Sequence, residues 1–192
     1  MSLKEQLLSF APWNAQEEKD RDMILAMLEE KGDALFWRSC VQAHMTACAW
    51  VVNQDRDKIL LCYHNLFDSW AWLGGHADGD QDLLQVAIRE VKEESGCVAK
   101  PLSQDILSVE SLCVDGHEKN GAYVSSHLHL NVTYLLEADD RLPLRNKPDE
   151  NSAVGWFGKD EIYALSSEYW YVKRIYRKLN EKTERFLRGT HD

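Results

Sequence analysis

Between Gly74 and Cys97 the chain reads GGHADGDQDLLQVAIREVKEESGC, and three of its acids are spaced for chemistry. Glu90, Glu93 and Glu94 stand at i, i+3 and i+4, which on a helix places their carboxylates on one face. Leu83, Leu84, Ala87 and Val91 recur near the helical period, so the stretch predicts an amphipathic helix, and Gly96 predicts its end. Local energetics disfavour the acids there. Like charges at that spacing repel, and acids near a helix C-terminus oppose the macrodipole, each by roughly a few tenths of a kcal/mol. A solvated acidic face is the plain explanation. A cluster of hard oxygen ligands, however, suits Mg²⁺ or Mn²⁺, which offsets the charge of an anionic phosphorus centre and lowers the pKa of a bound water. Gly74 and Gly75 upstream allow close backbone approach and could add a carbonyl oxygen to such a site. Arg89, four residues before Glu93, can orient that carboxylate.

The spacing follows the pattern G-x5-E-x7-R-E-U-x-E-E-x-G-U, with U a bulky apolar residue. Gly75 opens it, Arg89, Glu90 and Val91 follow at the set distance, and Glu93, Glu94 and Gly96 close it. Gln81 stands where the pattern has its first glutamate, and Cys97 is a small occupant of the last apolar position. On these residues the chain resembles the Nudix hydrolases, over about Met45 to Ile162. The resemblance implies an α/β/α sandwich with a mixed β-sheet. It also implies metal-dependent hydrolysis of a diphosphate linkage in a nucleoside diphosphate joined to another moiety. Glu90, Glu93 and Glu94, with the Gly75 carbonyl, would hold Mg²⁺ or Mn²⁺. The catalytic candidates are Glu93 and Glu150, either of which could deprotonate the attacking water, and Arg89, whose part is structural. Glu150 is a loop acid outside the box, with Asp149 behind it. Two other functions occur beside this one. An isoprenoid-diphosphate isomerase would call for a cysteine and a glutamate facing across an apolar pocket, and the sequence shows no clear cysteine motif for it. A non-catalytic nucleotide sensor would suit Gln81, but the retained glutamates argue against it.

The elements around the box must position it. His44–Val52 and Lys58–Tyr63 flank a polar turn and predict a hairpin, and Ala71–Leu73 predicts a third strand that delivers the two glycines. Strands are expected near Asp105–Val114, Ala122–Glu137 and Val154–Phe157, and a closing helix from about Glu168 to Leu187. His127 and His129, two apart on a strand, share one sheet face and are candidates for substrate contact, as is Trp72 for base stacking. Ahead of all this, residues 1–38 predict a helical extension. Ser2 and Glu5 suit a capping box, Pro12 breaks the first helix, and a second runs from about Ala15 to Glu30 before Gly32. The expected organisation is the extension at 1–38 and the catalytic domain at 39–192. The extension could cover a sheet edge, shape the substrate pocket or contribute to a homodimer.

Composition narrows the rest. At 192 residues, 44% hydrophobic and 28% charged, the chain can bury one sizeable core. A net charge of −10 speaks against a nucleic-acid partner, which would need a basic surface, and makes a metal necessary to admit a polyphosphate. No apolar run approaches the ~18 residues of a membrane span, and a cytoplasmic location is expected. The five cysteines are scattered without a C-x-x-C pair and read as reduced core residues.

Overall fold

The computed structural model describes residues 1–119 and 121–189. Helix α1 (Leu3–Ser9) starts from the expected capping box: the Glu5 N–H donates to Ser2 Oγ at 3.3 Å, and the Ser2 N–H donates to Glu5 Oε2 at 2.8 Å. Helix α2 (Ala15–Lys31) is capped by Asn14, whose side chain accepts from the Glu17 N–H at 3.0 Å, and it ends at Gly32. A 3₁₀ turn over Gly32–Phe36, which no sequence signal announces, leads to the sheet. Leu3, Leu7, Ile24, Leu35 and Phe36 are buried in the same core as the sheet residues.

Strand β1 (Ala43–Asn53) is the spine, with all eleven residues buried. Its alternating side chains feed two cores: Met45, Ala47, Ala49 and Val51 on one face, and Cys48, Trp50 and Val52 on the other. The hairpin to β2 (Lys58–His64) forms as expected. Asn53 Oδ1 closes its turn by accepting the Asp57 and Lys58 N–H groups, each at 3.0 Å. The single strand expected at 71–73 is two. β3 (Ser69–Ala71) pairs with β2, and the chain then crosses at Trp72 so that β4 (Leu73–His76) pairs with β1. Helix α3 (Leu83–Ser95) follows, capped by Asp82 and stopped by Gly96 at φ +74°, a left-handed conformation that favours glycine.

Past α3 come β5 (Lys100–Pro101) and β6 (Ser108–Val114). The strand expected over 122–137 is also two, β8 (Ala122–Val124), paired with β7 (His117–Lys119), and β9 (His127–Ala138). β9 runs parallel to β1 over its whole length and antiparallel to β5 and β6. β10 (Asn151–Gly158), longer than expected, pairs with β2, completing the mixed order β10-β2-β1-β9-β5. The predicted closing helix is interrupted: α4 (Ile162–Leu165), α5 (Tyr169–Tyr171), a π-helical turn over Val172–Tyr176, then α6 (Arg177–Gly189). α3 packs on one sheet face, and Ile175, Tyr176 and Leu179 pack on the other. The result is the expected α/β/α sandwich.

A buried ionic network ties the extension to the end of the chain. Lys178 Nζ lies 3.2 Å from Glu17 and 2.9 Å from Glu110, while Lys182 Nζ lies 2.8 Å from Glu17. Asn131 donates to the second Glu110 oxygen at 3.1 Å, so the carboxylates are satisfied rather than orphaned. Cysteines 48, 62 and 97 are core residues, but Cys113 is exposed, because β6 turns Leu112 and Val114 inward and leaves the residue between them facing out. Among the described residues no helix is long and apolar enough to cross a membrane.

Candidate active site

The three box glutamates are placed very differently. Leu83, Val86, Ala87 and Val91 bury the inner stripe of α3 against the sheet, which turns Glu94 inward, Glu90 to the edge and Glu93 outward. Glu94 is 2% exposed; its Oε2 accepts the Gly74 N–H at 2.9 Å, and the Cys62 thiol lies 3.9 Å from Oε1. Glu90 lies against Gly75, so closely that a Cβ on that glycine would sit 2.5 Å from its carboxyl carbon. The neighbouring Gly74 is just as constrained, since a Cβ there would meet the Ala47 carbonyl and Cys48 Cα at 2.5 and 2.6 Å. Both positions require glycine for close approach.

The loop 141–150 brings in the remaining carboxylate. It docks on the C-terminal carbonyls of α3, where the Arg145 N–H donates to the Ser95 carbonyl at 2.9 Å and Asn151 Nδ2 donates to the Glu94 carbonyl at 3.1 Å. Fully buried Asn151 also accepts the Lys147 N–H at 3.1 Å, fixing the loop's end. Lys147 Nζ then lies 3.3 Å from Glu93 Oε2 and 3.0 Å from Glu150 Oε2, bridging the two acids that face solvent. Burial lowers the affinity of Lys147 for its proton, but Glu150 and then Glu93 outweigh this and hold its pKa at about 12.

The cations nearby, Lys147, Arg89 and Arg38, leave two of the acids raised. Burial, then the charges of Glu93 and Glu150, push Glu90 up to about 7. Burial pushes Glu94 up to about 8 against the opposing Gly74 hydrogen bond, with Glu90 and Glu150 adding to the rise. Glu90 and Glu94, raised by burial and by neighbouring charge, together with Glu93 and Glu150 on either side of the Lys147 ammonium, offer the hard oxygen donors that suit a divalent cation. Glu90, Glu93, Glu94 and the Gly75 backbone therefore fit Mg²⁺ or Mn²⁺ chemically.

Arg89 takes a different partner from the one expected. Its Nη1 is 3.1 Å from Asp80 Oδ2, so it ties the loop before α3 to the helix instead of orienting Glu93. Asp80 Oδ1 accepts the Asp82 N–H at 3.0 Å, Asp82 caps the helix, and Gln81 between them is exposed. Trp72 is buried and edge-on to Tyr176 and Tyr171, so its ring is spent on core packing. His127 and His129 do share a face, and they meet His44 and His76 there. Sequence reasoning missed Lys147, Asn151 and Arg38. Arg38 forms a two-pronged pair with Asp78 at 2.7 and 2.5 Å, and Trp37 covers Gly79, where a Cβ would lie 2.1 Å from the indole. The end of the N-terminal extension thus holds the loop that enters α3. The one signal for Lys147 is the density of polar residues in Leu142–Glu150, and Asn151, just past that stretch, has none.

Comparison with known proteins agrees with this fold. The NUDIX domain family model matches residues 42–179. No curated protein gives a significant match. Among solved structures, a NUDIX-family hydrolase from Clostridium perfringens is 18% identical, with a TM-score of 0.53 over 71% of this chain and 96% of its own. The C. elegans Ap4A hydrolase is 20% identical, with a TM-score of 0.53 over 76% of this chain and 98% of its own. The MutT protein of Methanosarcina mazei Go1 is 16% identical, with a TM-score of 0.51 over 74% and 96%. These likenesses are of fold. With the family model covering most of the chain and the box placed against a glycine strand and a carboxylate cluster, the chain belongs to the Nudix hydrolase family.

Proposed function

We propose that this protein hydrolyses the diphosphate linkage of a nucleoside diphosphate joined to a second moiety, using Mg²⁺ or Mn²⁺. The observation that carries this reading is the carboxylate set at the end of α3, in which burial and the neighbouring acids push Glu90 up to about 7 and Glu94 up to about 8. Glu90, Glu93, Glu94 and the Gly75 carbonyl would hold the ions. The chemistry such ions supply is neutralisation of diphosphate charge and activation of water. The chain does the rest. The Gly74 N–H keeps Glu94 pointing at the site, and the Arg89–Asp80 pair keeps the loop closed on α3. Glu93 and Glu150 both reach solvent, so either is placed to accept the proton of the attacking water. Lys147 holds both in position and can lend its charge to a substrate oxygen. The isomerase alternative draws no support, because Cys62 and Glu94 touch directly in the core instead of facing across a pocket.

A panel of nucleoside diphosphate sugars, dinucleoside polyphosphates and nucleoside triphosphates, assayed with each metal, tests the reading. Cleavage at a diphosphate bond with negligible turnover of a chromogenic phosphomonoester is expected, since a lone phosphate offers fewer oxygens to hold. Comparable monoester activity would remove the diphosphate assignment. Binding of these compounds without turnover would favour the sensor.

A further inference from the structure

Opposite α3, on the other face of the sheet, four imidazoles converge. His44 on β1 is paired in register with His129 on β9, and His127 lies two residues before it on the same face. His76, directly after Gly75, sits opposite Thr46 and so points the same way, away from Glu90. Ring centroids of His44 lie 5.0, 4.9 and 5.1 Å from those of His76, His127 and His129. Ligating nitrogens of His44, His127 and His129 fall within 4.8 Å of one another.

The proton positions make this more than a crowd. A carbonyl oxygen can only accept, so the contacts of His44 Nδ1 with the Cys40 carbonyl at 3.3 Å and of His127 Nδ1 with the Ser125 carbonyl at 2.8 Å place N–H on each Nδ1. In the neutral rings both Nε2 atoms then carry bare lone pairs. His129 Nε2 lies 3.1 Å from His76 Nε2 and 3.2 Å from His127 Nε2, and one ring N–H cannot serve both. His44 is 5% exposed, and its Nε2 is buried with no hydrogen-bond partner. A buried lone pair such as that of His44 Nε2 is costly unless a donor or a metal ion meets it.

We propose that His44, His127 and His129, with His76 within reach as a fourth ligand, form a site for a divalent ion of the zinc class, separate from the carboxylate cage. A tetrahedral ion at about 2.0–2.1 Å from each nitrogen sets ligand nitrogens about 3.3 Å apart, close to the 3.1 and 3.2 Å that separate His129 Nε2 from His76 and His127, while His44 lies within 4.8 Å of its partners. The Nδ1–H to carbonyl bonds are the outer-shell contacts that orient metal-bound imidazoles. Imidazoles select Zn²⁺, Ni²⁺ or Co²⁺, whereas carboxylates select Mg²⁺ and Mn²⁺, so the two sites divide the metals by ligand type.

The test uses the full chain stripped with a chelator, titrated with Co²⁺ and with Zn²⁺ against a chromophoric chelator, in excess Mg²⁺. One equivalent of Zn²⁺ is expected, with a visible Co²⁺ band of tetrahedral intensity. The same uptake is expected in Glu93→Gln/Glu94→Gln, and affinity at least tenfold weaker in His127→Gln, a half-exposed position. Imidazole nitrogen NMR of the parent chain gives a reading that needs no variant: Zn²⁺ should shift the Nε2 signals of these histidines and leave the Nδ1–H signals of His44 and His127 in place. Zn²⁺ uptake that is absent, lost in the glutamate variant, or undiminished in His127→Gln overturns the proposal, as does an unchanged imidazole spectrum. Hydrolytic activity enters none of these readouts, so the proposed function stands or falls separately.

Discussion

Replacing Glu94 with glutamine should make the metal-free protein more stable at alkaline pH. The carboxyl is 2% exposed, with a pKa of about 8 in the folded chain against 4.5 unfolded. A raised carboxyl pKa contributes stability that is fully present below about pH 4.5 and is lost as pH rises towards 8. The slope is about 1.4 kcal/mol per pH unit, and over the window of roughly three and a half units it accumulates to a ceiling of about 5 kcal/mol. Glutamine keeps an acceptor for the Gly74 N–H, but its amide group gains hydrogens that must find partners, a cost of about 1 kcal/mol. Near pH 5, Glu94→Gln should therefore match the parent or fall slightly below it. At pH 8.5 it should exceed the parent by about 2–4 kcal/mol. Urea unfolding of both proteins with a chelator present, at half-unit steps of pH, measures the difference, in which the titrations of groups remote from Glu94 cancel. Saturating Mg²⁺ should reverse the order, because only the parent retains the full ligand set. A parent-minus-variant difference that stays flat from pH 5 to 8.5 would refute the placement of an ionisable Glu94 in the core.

Glu93→Gln should lower turnover by about two orders of magnitude or more at saturating metal while leaving thermal stability nearly unchanged, because its carboxylate faces solvent. The two glycines should separate in a paired assay of activity and unfolding. Gly75→Ala displaces only the flexible end of Glu90 and should reduce activity far more than stability, whereas Gly74→Ala meets backbone and should destabilise by about 2 kcal/mol or more. Gln81→Glu should tighten Mg²⁺ binding by calorimetry and change kcat at saturating metal by less than about tenfold. An inert parent that this change alone revives would count against the proposed function.

How much could be read in advance followed the range of the forces involved. The α3 helix and its stop at Gly96 are local and periodic, and the sequence displays them openly. So are the capping box of α1 and the hairpin turn closed by Asn53. Spacing along a helix ranks Glu93 first as the partner of Arg89, while the loop folds back to present Asp80. Trp72 looked like a stacking surface because composition does not reveal that the strand crosses over at that residue and turns its ring towards Tyr176. Lys147 and Asn151 act through a loop whose docking on the end of α3 is a tertiary event with no periodicity. The histidine cluster draws on three strands, and register between β1 and β9 is not written in either strand alone.

That β1–β9 pairing also dictates an order of events during synthesis. Residues from Ala43↔Leu128 to Asn53↔Ala138 must align, so the spine strand, apolar on both faces, emerges long before its parallel neighbour exists. At about 5–20 residues per second the wait lasts several seconds or more, with one edge of β1 unpaired. The local hairpin with β2 and the short pairing with β4 can cover the opposite edge early, which leaves a half-shielded, aggregation-exposed intermediate. Closure by β9 is a contact of high sequence separation, which slows folding. The nascent chain is therefore most vulnerable between the appearance of α3 and that of β9, and a chaperone that recognises extended apolar strands would find its substrate in that interval.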